Sequence, residues 1–482
     1  MNGNCNHSSR RGFALNLCLF AFICGCLNPE FLPLALAKQK ADLLIVGGTV
    51  VTMDTERRVI EDGAIAVLGD SIVAVGVRAE IESRFEGSRT IDARGALVMP
   101  GLINGHAHAA MSLFRGLADD LSLDDWLKKF IFPAEARNVT EDFVVWGTRL
   151  SLLEMIRGGI TTYADMYYFE DAVARVTKEA GMRGILGETI IDFPAPDNKT
   201  PLAAFAYAQD YLTRWKGDPL IVAAVAPHSI YTCSEKTLQD AAALARRSAA
   251  PILIHIAEAP FELEQSRASH GFTPVGYLER IGLLGPDVVG AHCIWVDTAD
   301  IASLVHFGVG CVNNPSSNMK TASGVMPVVE MLAAGEAIGL ATDGAASNNS
   351  QDMFEEMDLA SKLQKHSRRD PRALPAEQVV EMATIGGARA LHLDKQIGSL
   401  ESGKKADLIL VDLGAPHATP MYNLYSHLVY ALKASDVRTV VVAGKIVMDD
   451  RKMLTLDENA ILSKARDYRR RILASFPAAP AR

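Results

Sequence analysis

The chain has 482 residues, 49% of them hydrophobic and 22% charged, so it is long and apolar enough to bury a large core. Its net charge of −9 gives no basis for a nucleic-acid-binding surface. No long low-complexity segment or short-period repeat breaks it up.

The first residues differ from the rest. Ser9-Arg10-Arg11-Gly12-Phe13 precedes the apolar run Ala14 to Cys24, and Ala35-Leu36-Ala37 offers a small-residue cleavage site. A charged region, an apolar region and such a site predict an export signal over residues 1–37. The paired arginines with Phe13 beyond them resemble a twin-arginine signal, which implies an exported, periplasmic protein. Without the signal the expected address is cytoplasmic. The apolar run is short of a full membrane span, so none is expected. Cys5, Cys18, Cys24 and Cys26 lie in this segment, leaving Cys233, Cys293 and Cys311. Three scattered cysteines are not a disulfide framework and suit small core positions.

Residues 38–95 read as short strands. Ala41 to Val51 is two strands about a Gly-Gly turn, and Gly69-Asp70 joins Ala64–Val67 to Ser71–Val75. The pattern returns in residues 396–482, at Ala406–Asp412 and in the hairpin about Ala443-Gly444-Lys445, before a C-terminal helix. The two segments predict one small β-sandwich domain built from both chain ends.

Residues 96–395 alternate differently. An apolar run ends at Ile103, and others recur at 159–162, 184–191, 220–226, 251–256, 288–292, 308–312 and 337–342. Helix-length stretches such as Phe143–Arg157 and Leu238–Ala249 separate most of them. Eight strands with intervening helices predict an α/β fold, a TIM-like (β/α)₈ barrel. Ser122 with Asp125 makes a capping box for a helix just after the first strand, where an active-site cover would sit, and Pro133 should end it.

Chemistry in such a barrel gathers at the C-terminal ends of the strands. Strand one supplies His106 and His108, strand four runs into His228, and strand five supplies His255 and then Glu258. Strand six ends at His292 and strand eight at Asp343. Three imidazoles and a carboxylate suit Zn²⁺, and imidazole also suits Fe²⁺. His106, His108, His255 and Asp343 are therefore the expected ligands of one Zn²⁺, with Fe²⁺ as the alternative. Glu258 is the expected proton carrier. His292 would hydrogen-bond the attacking water or the developing charge.

These pieces resemble the amidohydrolase superfamily. The motifs are PGLINGHAH, IHIAE, AHC and ATDGAASNNS, followed by IGSLESGKKADL at the return to the β domain. Within it the chain is most similar to the 5-methylthioadenosine/S-adenosylhomocysteine deaminases, through Asp120-Leu121-Ser122, Trp126-Leu127, Glu135, Pro227-His228-Ser229 and TDGAASNNS. The resemblance implies a single metal, because strand four runs into Pro227-His228 and carries no bridging lysine there. It implies that Glu135 binds the ribose hydroxyls and His228 the nucleoside, with Glu258 and Asp343 also touching the substrate. Related deaminases carry an arginine just past strand three, where this chain has Gly187-Glu188-Thr189.

The implied activity is metal-dependent hydrolytic deamination of adenosine-type nucleosides, with Glu258, His292 and Asp343 catalytic. The same metal site would serve an aminohydrolase or chlorohydrolase of guanine or an s-triazine. The expected partner is a small-molecule substrate; a homo-oligomer is compatible with the sequence.

Overall fold

A computed structural model describes residues 37–476. The export-signal reading falls on residues outside that range. The chain from Lys38 onward is one compact unit.

A nine-stranded mixed sheet takes strands from both ends of the chain. Gln39–Val51 pairs antiparallel with Val59–Leu68, which pairs with Ser71–Val77. Leu408–Asp412 pairs antiparallel with Ala96–Pro100 on one side and with Val437–Val442 on the other. The alternation of the first strand sets its two faces. Leu43 and Ile45 join a core with Ile65, Val98, Leu408 and Val441, while Leu44 and Val46 pack on the opposite face against Ile81 and Phe85. The sheet curls far enough for Ile72 to bond the backbone of Lys404 across its open side, at 2.8 Å.

The eight predicted barrel strands are all present and parallel: Leu102–Ala107, Ile160–Tyr167, Arg183–Ile190, Ile221–Pro227, Ile252–Ile256, Val288–His292, Gly310–Asn313 and Ile338–Leu340. Strands one and eight close the circle. Asn104 Nδ2 donates to Thr342 Oγ1 at 2.7 Å, and its Oδ1 accepts from Thr342 N at 3.0 Å. Ile103, Ala164, Ile185, Ala224, Leu253, Val289 and Val312, one from each of seven strands, form a single cluster. Residues from every direction can meet only on the barrel axis, so this cluster is its packed interior.

Three local expectations are corrected. Ala41 to Val51 is not two strands about a Gly-Gly turn: Gln39–Val51 is one strand, with a register shift at Gly48. The apolar run at Ala96–Ile103 divides at Gly101: Ala96–Pro100 belongs to the nine-stranded sheet, and the first barrel strand starts at Leu102. A Cβ at Gly101 would overlap the Thr161 side chain, so only glycine lets the chain pass between the sheets there. Pro133 does not end the cover helix. Ser122 caps it as expected, accepting from Asp125 N at 3.4 Å. The chain then winds through a π-helical stretch, Trp126–Ile131, into the α-helix Phe132–Asn138, and Pro133 sits in the first turn of that helix. Proline is tolerated there because that N–H needs no intrahelical partner.

Candidate active site

Strand geometry delivers each group to the barrel mouth. Ala226, Leu253 and Ala341 belong to the interior cluster, and His228, His255 and Asp343 follow each of them by two residues. Even spacing keeps a side chain on the same face. His106 follows the interior residue Ile103 by three, and His292 follows Val289 by three, so a regular strand would aim both outward. A register shift between Asn104 and Ala107 re-aims His106. His292 takes a left-handed conformation with φ of 73°. Asp343 (φ 61°) and Ala257 (φ 51°) share that sparsely populated region.

The groups converge. His106 Nε2 and His108 Nε2 lie 3.5 and 3.4 Å from Asp343 Oδ1. His255 Nε2 lies 3.3 Å from His108 Nε2. His255 Nδ1 donates to the His228 carbonyl at 2.8 Å and His108 Nδ1 to the Met166 carbonyl at 2.7 Å. A carbonyl only accepts, so both protons sit on Nδ1. Two Nε2 lone pairs therefore face each other, a repulsive arrangement that a cation between them relieves. His106 Nε2 is buried and makes no hydrogen bond within the protein. An orphaned imidazole nitrogen, two opposed lone pairs and a carboxylate oxygen fit one divalent ion such as Zn²⁺. Donor atoms of His106, His108 and Asp343 lie within 4.8 Å of one another, as do those of His106, His255 and His292.

Electrostatics separates the two carboxyls. Burial would raise Asp343, but His106, His108 and His292 outweigh it and hold its carboxyl well below the usual range. Burial, reinforced by the charge on Asp343, pushes Glu258 well above it. Burial also lowers His106 to about 4 and His228 to about 3, so both are neutral imidazoles at neutral pH. Burial raises Glu135 to about 7.

A ring of supporting groups fixes these side chains. Asp343 Oδ2 accepts from Ser317 Oγ at 2.6 Å and Ser347 Oγ at 3.0 Å, while Oδ1, which faces the imidazoles, accepts from Gly344 N at 2.7 Å. His292 Nδ1 donates to Asn318 Oδ1 at 2.8 Å, and its Nε2 lies 3.7 Å from Glu258 Oε2. The Glu262 carboxylate accepts from the backbone N–H groups of Ala257 and Glu258, at 3.0 and 2.8 Å. Sequence reasoning missed this support. Ser317 and Asn318 follow the end of strand seven, one of three strand ends, with two and three, to which no site residue was assigned. Glu262 lies in the first turn of a helix opened by Pro260, and reading that helix start would have found it.

All of this lies at the base of one cavity. His108, His228, His255, Glu258, His292 and Asp343 reach it. The cover supplies apolar walls at Leu123, Trp126, Leu127 and Phe132, with Glu135 beyond them. Tyr167 Oη donates to Glu135 Oε1 at 2.7 Å. Every predicted site residue except His106, which lies behind its neighbours, lines this one cavity.

The sequence matches the amidohydrolase family over residues 97–447. It is 48% identical to a 5-methylthioadenosine/S-adenosylhomocysteine deaminase of Syntrophus aciditrophicus, over 91% of this chain and 99% of that protein. It is 42% identical to a 5′-deoxyadenosine deaminase of Methanosarcina acetivorans, over 90% and 99%. The fold superposes on a zinc-bound adenosine deaminase from Xanthomonas campestris with a TM-score of 0.89, 39% identity, and coverage of 91% and 100%. A zinc complex of atrazine chlorohydrolase from Arthrobacter aurescens follows at TM-score 0.82 and 25% identity, covering 88% and 99%.

Proposed function

Because the chain belongs to the amidohydrolase family, we propose that it is a metal-dependent deaminase that removes the 6-amino group of adenosine-type nucleosides. The observation that carries this reading is the pair Glu258 and Asp343. Two carboxyls line one cavity, burial pushing one above the usual range and the neighbouring imidazoles holding the other below it, which is how acid and base are divided at a single site. The relatives at 48% and 42% identity, named for 5-methylthioadenosine and 5′-deoxyadenosine, support the adenosine-type ring.

His106, His108, His255 and Asp343 would hold one Zn²⁺, or Fe²⁺ in its place. Once bound, the ion supplies a water of lowered pKa as the nucleophile. Glu258, whose carboxyl burial pushes well above the usual range, delivers a proton to ring N1 and makes C6 more electrophilic. Asp343, ionised, takes a proton from the attacking water. His292, whose Nδ1 is committed to Asn318, offers Nε2 to the oxygen that adds to C6. Asp343 passes the water's proton to the amino nitrogen, the C6–N bond breaks to release ammonia, and the C6 hydroxyl proton returns to Glu258 as the inosine-type carbonyl forms. His228 and Glu135 hold the nucleoside, Glu135 at the ribose hydroxyls. A guanine or s-triazine substrate would leave Glu135 and its tyrosines without a partner, so the nucleoside reading is preferred.

The deciding measurement is ammonia release by the metal-loaded enzyme from a panel of aminated nucleosides and heterocycles. Adenosine, 5′-deoxyadenosine and 5-methylthioadenosine should be substrates. Turnover of guanine or an aminotriazine alone would overturn the assignment.

Export is proposed on the strength of Ser9–Phe13 and Ala35–Ala37. Among the described residues no helix is long and apolar enough to cross a membrane. The mature N-terminus should be Lys38, in an extracytoplasmic fraction. Intact first residues on cytoplasmic protein would refute this.

A further inference from the structure

Behind the cavity wall lies a second group of acids that the reaction does not use. Glu188, near the end of barrel strand three, is fully buried, and Asp197, on the loop that follows, lies beside it. The pair grips one turn through two successive backbone N–H groups. Phe169 N donates to Asp197 Oδ2 at 2.9 Å, and Glu170 N donates to Glu188 Oε2 at 3.1 Å. Asn198 Nδ2 donates to Glu188 Oε1 at 3.3 Å. Phe169 is left-handed, with φ of 56°, a conformation a phenylalanine adopts only when its surroundings impose it. Immediately before this turn stand Tyr167, whose hydroxyl donates to Glu135, and Tyr168, which lines the same cavity.

Two buried carboxylates side by side repel unless a proton or a cation joins them. Among the described residues no cation reaches this pair. Lys199, on the same loop, spends its ammonium on the carbonyls of Ala195 and Pro196. Arg183, at the far end of the strand, is bound to Asp407. The other ionisable groups facing Glu188 are Glu170, Tyr168, Tyr207 and Tyr211, all acids. Strand four beside it presents Val225. No third ligand atom completes a metal cluster there among the described residues. Asp197 Oδ1 is buried and has no donor unless Glu188 supplies one.

We infer that Glu188 and Asp197 are positioning residues: a carboxyl pair sharing one proton, which pins the Phe169–Glu170 turn and so holds Tyr167, Tyr168 and Glu135 in place for the substrate's sugar. The inference rests on the reading of Glu135 as the ribose-binding residue. Burial, which raises the Glu188 carboxyl, agrees with its carrying the proton. Loss of that proton at alkaline pH puts two charges together and releases the turn.

The test uses the full-length, metal-loaded enzyme with 5-methylthioadenosine, kcat and KM being measured from about pH 6 to pH 10. Glu188→Ala should raise KM about 10-fold, the size of one lost hydrogen bond, and leave kcat within about 2-fold. Glu188→Gln, which keeps a donor for Asp197 and cannot ionise, should restore KM and abolish the alkaline rise in KM that wild type shows. In a Glu135→Gln background, Glu188→Ala should add little, because both changes remove the same interaction. A Glu188→Gln enzyme as impaired as Glu188→Ala, a loss falling on kcat, or additive effects in the double variant would each overturn the inference. A wild-type enzyme that deaminates other rings but no nucleoside would overturn the functional reading instead, and this inference with it.

Discussion

Glu258 is held out of the metal cluster by backbone geometry. It lies two residues past the end of strand five, after the left-handed Ala257, and both residues are held by Glu262. If it carries the proton to the ring, Glu258→Gln should bind substrate nearly as wild type while kcat falls about 10²–10⁴-fold, the usual contribution of a general acid. Near-normal kcat in that variant on every aminated substrate would end the mechanism. His255→Ala should instead lose the metal, read as less than about one ion per chain by elemental analysis where wild type holds one. Glu262→Ala should act indirectly, keeping the metal but lowering kcat. The ligand and proton-transfer candidates were legible in the sequence because they are histidines and acids at predictable strand ends. Ser317 and Asn318 were not, since they act by holding another residue's carboxylate or ring, and Glu262, which holds backbone, was legible only as an acid in the first turn of a helix.

Arg183 joins the barrel to the sheet. At the start of strand three, its Nε donates to Asp407 Oδ2 at 2.8 Å and its Nη1 to the Pro219 carbonyl at 2.9 Å. Asp407 also accepts from Ala443 N at 2.6 Å through its side chain and from Gly101 N at 3.1 Å through its carbonyl. Both side chains are 5% exposed or less, so removing one strands the other's charge. Asp407→Ala should cost about 3–5 kcal/mol in denaturant unfolding, whereas a paired Arg183→Met, Asp407→Leu replacement should cost far less. At this scale the strands were legible from apolar runs, and six of the eight fall within about two residues of expectation, while strand two runs on to Tyr167. The division at Gly101 was not. The run on both sides of it is equally apolar, because strands buried on both faces lose the alternation that marks a face. Pro133 misled for a related reason: proline stops a helix interior yet fits a first turn, and only the winding of the preceding residues tells which applies.

The whole molecule carries an unusual load of buried acid. Burial raises Glu135, Glu262 and Glu336 to about 7 and Glu356 to about 8. An acid whose folded pKa lies above its unfolded value stabilises most below the unfolded value, and that contribution is lost as pH rises through the folded one. The imidazoles of His106 and His228 have the opposite sign. Their lowered values contribute stability above the ordinary histidine pKa, and it is lost as pH falls toward about 4 and about 3. The metal-free chain should therefore melt highest in mildly acidic buffer, with Tm falling as pH rises from about 6 to about 8. A flat or rising Tm over that interval would show these acids to be ionised in the folded state.

The nine-stranded sheet also sets a schedule for synthesis. Met99 pairs with Ile409, made 310 residues later. At about 5–20 residues per second, Ala96–Pro100 waits roughly 15–60 s on the ribosome for the strand that will cover it. Throughout that wait an apolar edge with unpaired N–H and C=O groups lies open to any other extended chain. A ribosome that stalls anywhere between the last barrel strand and Leu408 leaves behind a polypeptide with most of its catalytic groups and one uncovered edge. Such fragments should be recovered in aggregates or on chaperones, and a chain released just past Asp449 should not.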